Sequence, residues 1–142
     1  MNRLISMFVI FLIATSPVCA TESFSIAGVW FALVGDTMYT LRLQTDYIDT
    51  LRTLEVFTGT LTKQSTTAGG VTTRTLPVTG QRFKSDSSAV VMSFGEPGSQ
   101  REYGVGKPWS TEIELTLFSI RPGRDIDFQG AAYFVRQSPS TP

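Results

Sequence analysis

Glu112-Ile113-Glu114-Leu115-Thr116-Leu117-Phe118-Ser119-Ile120, then Arg121-Pro122-Gly123-Arg124, then Asp125-Ile126-Asp127-Phe128-Gln129-Gly130-Ala131-Ala132-Tyr133-Phe134-Val135-Arg136 is the stretch whose reading decides the fold. Ile113, Leu115 and Leu117 alternate with Glu112, Glu114 and Thr116. A period of two marks a strand with one wet face. Pro122-Gly123 suits the centre of a type II turn, because Pro fixes φ and Gly accepts a positive one. Beyond it Ile126 and Phe128 alternate with Asp125, Asp127 and Gln129. The pattern predicts an antiparallel hairpin. A lone hairpin is marginal in water, so the rest of the chain has to supply more strands.

It does. Residues 26–34 are almost all apolar, as in a strand covered on both faces. Gly35-Asp36 suits a two-residue hairpin loop. Residues 37–43 follow, with Tyr39, Leu41 and Leu43 on one face. Residues 45–53 leave a short helix and an irregular strand or loop equally open. Residues 55–63 form a Thr-rich strand carrying Glu55, Phe57 and Leu61 on one face. Ser65 to Gly70 reads as a loop. Residues 71–81 read as a polar strand that Pro77 makes an edge, a bulge or two short pieces. Residues 89–94 and 101–106 complete the set, with Gly104 and Gly106 marking a bulge or strong curvature. Seven or eight short strands and no convincing helical period predict an all-β chain. The predicted architecture is a single small antiparallel β-barrel of 7–8 strands, with a β-sandwich as the alternative. A barrel removes exposed strand edges.

The chain of 142 residues divides into an expected signal peptide (1–20), a barrel domain (21–136) and a disordered tail (137–142). Asn2-Arg3, an apolar run and Val18-Cys19-Ala20 have the layout of a secretory leader. The expected location is periplasmic or secreted, in a bacterium, with lipidation at Cys19 as the minor alternative. Cleavage after Ala20 removes the one cysteine, so no disulfide is expected, and it removes Arg3, leaving one more acid than base. No basic stripe points to nucleic acid. No further apolar run is long enough for a stable membrane span.

Gly28-Val29-Trp30 on the opening strand resembles the Gly-x-Trp start of the calycins, the lipocalin- and avidin-like barrels. That resemblance implies a Trp closing one end with a basic residue from the last strand packed over it. Arg136 stands where that residue is expected, and Phe134 would pack below the pair. Strict alternation puts Ile126, Phe128, Gly130, Ala132, Phe134 and Arg136 on one face.

Three function classes stay open. The first is an exported structural or protein-interaction factor. The second is a carrier for a small apolar or amphipathic ligand inside the barrel, contacted by Trp30, Tyr39, Phe57, Phe128, Gly130 and Ala132. The third is an enzyme using a carboxylate, Tyr39 or Arg42 in acid–base work. The chain has no His, which with the loss of Cys19 removes the usual triads and metal sites, and no cofactor or metal is expected. Two carboxylate pairs, Glu112 with Glu114 and Asp125 with Asp127, match glycosidase or calcium chemistry in type, but a solvated strand face gives the same spacing. Glu55, if inward, needs Arg42, Arg136 or a ligand as partner.

Overall fold

The computed structural model describes residues 24–84, 88–96, 100–121, 123 and 125–138. The expected leader, Pro122 and Arg124 lie outside them, as do the last residues of the expected tail. The strands are β1 (Gly28–Val34), β2 (Thr37–Ile48), β3 (Leu54–Thr67), β4 (Gly70–Phe83), β5 (Ala89–Phe94), β6 (Glu102–Pro108), β7 (Glu112–Ile120) and β8 (Ile126–Arg136). Each pairs antiparallel with the next, and β8 returns to β1, so the eight strands close into a single barrel. The barrel is the predicted architecture, and the sandwich alternative falls away.

Alternation fills the inside. Trp30, Leu41, Phe57, Leu61, Val90, Ile113, Leu115 and Phe134 are all fully buried, and Met92 and Phe94 nearly so. Outward positions carry Thr40, Arg42 and Gln44 on β2, Thr58, Thr60 and Thr62 on β3, and Glu112, Glu114 and Thr116 on β7. No helix occurs among the described residues.

Three local features differ from simple alternation. In β8 the register slips between Leu117 and Phe118: Leu117 faces Gly130, but Phe118 faces Phe128, so Gln129 is the extra residue of a bulge. Gly130 takes φ +117°, a backbone conformation an L side chain resists. A one-residue slip moves every preceding side chain to the opposite face. Phe128, expected inside with Ala132 and Phe134, is therefore on the outer wall and 71% exposed, with Ile126 beside it. Residues 45–53 contain no helix. Here β2 runs on to Ile48 past a bulge at Asp46, and a turn follows in which Asp49 accepts bonds from Leu54 N (2.7 Å) and Thr53 Oγ1 (2.7 Å). Pro77 sits inside one continuous strand, opposite Thr60. The ladder between β4 and β5 begins only at Val78, so Pro77 interrupts no bond, and its carbonyl accepts from Gly95 N at 2.9 Å.

Up-and-down order gives the barrel two unlike ends. The turns 49–53 and 109–111 gather at one end with the last residues of β4, the first of β5 and both ends of the described chain. The turns 35–36 and 68–69 lie at the other, with the last residues of β5 and β7 and the first of β6 and β8, and there β3 and β4 overhang β5.

Candidate functional site

At the first end the chain shuts the barrel with its own N-terminal segment. Ile26 is fully buried, and its carbonyl accepts from Trp30 Nε1 at 3.0 Å. Trp30 faces Arg136 across the β1–β8 seam, and the guanidinium lies 4.3 Å from the indole centroid. Arg136 also donates to the Ser25 carbonyl. Phe134, one inward position along, is fully buried and touches Tyr39, ring centroids 6.4 Å apart. Cation–π attraction of this kind is worth about 0.5–2 kcal/mol, more as water is excluded.

Beside that pair lies Glu55, completely buried. Its carboxylate accepts from Ser25 Oγ (2.8 Å), Thr45 Oγ1 and Ile26 N (3.2 Å). Arg82 Nη1 and Lys84 Nζ approach at 3.4 and 3.7 Å. Arg42 and Arg136, the cations expected from sequence, are not its ion-pair partners. Arg42 is on the outer face, and the cross-strand neighbour is Arg82. Arg82 in turn donates to the Phe24 carbonyl and lies 3.7 Å over the Phe24 ring. Burial works to raise the Glu55 carboxyl, but the bonds from Thr45, Ser25 and Ile26 and the charge on Lys84 together outweigh it and hold it below the usual carboxylate range. Burial pulls the guanidinium pKa of Arg82 down, and Glu55 opposes that pull. Both oxygens of Glu55 have partners, which suits a lock on the fold.

Trp30, Phe57 and Ala132, expected around an enclosed ligand, are buried in the packed core. Tyr39 of the same set is buried too but borders a recess at the far end of the barrel. Phe128 and Gly130 of the same set are exposed.

The outer wall holds what sequence alternation left unassigned. A recess of about 330 Å³ runs over β3 to β6, walled by Val56, Thr58, Thr79, Gln81, Val91, Ser93 and Tyr103, with Phe57, Gly80 and Met92 at its base. A side chain at Gly80 would strike the Phe57 ring at 2.4 Å, so the wall is thin there. Tyr103 then stacks on Phe118 (centroids 5.5 Å, 20° between planes), and Phe118 meets Phe128 at 6.4 Å. Recess and aromatic ladder make one track across β3 to β8. Tyr133 and Val135 on β8 and Phe31 and Leu33 on β1 are exposed as well, with Phe31 facing Val135 across the seam, so the outer face of β1, expected to be covered, is open.

The carboxylates singled out from sequence do not converge. Glu112, Glu114 and Asp125 are exposed, and Asp127 pairs with Arg121 at 2.7 Å. No group of three or more His, Cys, Asp or Glu that could hold a metal occurs among the described residues. No protein-family model, no curated protein and no solved structure matches this chain.

Proposed function

We propose that this is an exported barrel that works by engaging a protein partner through its outer wall. The observation that carries the reading is the Tyr103–Phe118–Phe128 ladder, joined to the apolar recess beside it. Contiguous exposed apolar surface of this kind marks interaction sites, and aromatic anchors dominate interface energetics. The packed core around Trp30, Phe57 and Ala132 supports the same reading over a carrier of an apolar ligand enclosed there. Export rests on the layout of residues 1–20, and a periplasmic or secreted location follows from it. Membership among calycin-type barrels is supported by Gly28-Val29-Trp30 together with Arg136 over the indole.

A photo-crosslinking residue placed at position 128, and separately at Thr60 on the threonine-rich face, tests the proposal in cells exporting the protein. A discrete adduct from position 128 that Phe118→Ser abolishes, with none from position 60, is the expected result. Equal labelling from both positions, or an adduct indifferent to Phe118, would overturn it. Phe128→Ser should meanwhile shift unfolding by less than about 0.5 kcal/mol, because the side chain is already in water.

A further inference from the structure

The end away from Trp30 holds an arrangement that fold stability alone does not call for. On the inward face of the β3–β4 ladder Lys63 stands directly opposite Arg74. Like charges opposed across a ladder destabilise it. Both side chains line a recess of about 220 Å³ with Thr37, Tyr39, Ser65 and Thr72. Lys63 is held in place: its ammonium lies 5.0 Å over the Tyr39 ring and meets the Glu102 carboxylate, which reaches across from β6. Arg74 has no ion-pair partner among the described residues. Thr37 Oγ1 and Ser65 Oγ, 2.7 Å apart, set two hydroxyls into the same recess. Two cations and several hydroxyls around one small volume form the donor set of an oxyanion site, and the guanidinium adds a planar fork that matches phosphate or sulfate oxygens.

We infer that this recess binds a tetrahedral dianion, phosphate or sulfate, free or as a substituent of a larger molecule, bridged between Arg74 and Lys63. Glu102 is the internal competitor. Its carboxylate already occupies one side of the Lys63 ammonium, so an arriving dianion shares or displaces it. The site is separate from the outer aromatic track, and neither proposal depends on the other.

Titration calorimetry with inorganic phosphate and sulfate at low ionic strength tests the inference, with acetate as the planar monoanion control. Saturable binding of phosphate or sulfate, weaker for acetate, is expected. Arg74→Gln and Lys63→Gln should each weaken it at least about tenfold, the equivalent of one lost charge-assisted contact. Glu102→Gln should tighten it, which a purely structural Lys63–Glu102 pair would not do. Arg42→Gln on the outer face should leave it unchanged. Glycerol phosphate separates the two sources: tighter binding than phosphate points to a substituent, weaker binding to the free ion. Absence of saturable binding, or affinity that survives Arg74→Gln, or that falls with Arg42→Gln instead, would overturn the inference.

Discussion

Two rungs of one ladder, on one face and eight residues apart, carry opposite electrostatics. Glu55 faces Arg82 at the shut end, and Lys63 faces Arg74 at the open one. The first rung joins opposite charges, is buried on both sides and is ringed by hydroxyl and backbone donors. The second joins like charges, and its arginine is exposed. An exposed like-charge pair costs a few tenths of a kcal/mol to about 1 kcal/mol, whereas a broken buried pair costs about 3–5 kcal/mol. The difference separates what holds this barrel together from what it holds out to solvent. Charge at the shut end replaces water for groups that have none, while charge at the open end is left for something else to neutralise.

The largest effect expected from breaking that contrast is at Glu55. Replacement by Ala leaves Arg82 buried without its counter-charge, and urea unfolding should show a loss of about 3–5 kcal/mol. Acid should act on the same group. The folded carboxyl titrates below its unfolded value, so its stabilisation is fully present above the unfolded value and disappears as pH falls through the folded one. Stability followed from neutral pH to about pH 2 should therefore drop through the carboxylate range, and Glu55→Gln should flatten that drop. A Glu55→Gln curve parallel to the unmodified protein would remove Glu55 from the account.

A smaller effect is expected at Arg136. Arg136→Ala gives up the contact over Trp30 and the bond to the Ser25 carbonyl. The loss should be about 1–3 kcal/mol by chemical denaturation. Phosphate affinity at the far end should stay within about twofold, because sites with no shared partners behave additively. A matched loss of affinity would mean that the ends are not independent.

Much of the fold was legible because alternation and turn residues act locally. Period two around Ile113, Leu115 and Leu117 located β7 and its inward face, and the resemblance carried by Gly28-Val29-Trp30 pointed to Arg136 over Trp30. Phe128 misled for a physical reason. A bulge is one extra residue, and composition does not reveal it until the ladder is seen; Gly130 was the available signal, placed instead among the inward ligand contacts. The charged rungs were missed through turn placement. Residues 65–70 read as an open loop, whereas the turn is only Ala68-Gly69, flanked by the rung Thr67–Gly70. With that two-residue turn the register follows by counting, and it sets Arg82 against Glu55 and Arg74 against Lys63. The outer recess had no such signal, since it depends on how strands from β3 to β6 curve around Gly80.

The contrast between the two rungs is tested most directly by one pair of calorimetric melts at neutral pH and low salt, comparing Arg82→Gln with Arg74→Gln. The substitution is chemically the same, on the same strand and the same face. Arg82→Gln should lower Tm by about ten degrees, following the loss of a buried partner. Arg74→Gln should leave Tm unchanged or raise it by about one or two degrees, since it relieves a like-charge rung. A clear fall in Tm on Arg74→Gln, comparable to that of Arg82→Gln, would show that the open-end arginine supports the fold after all and would contradict the account.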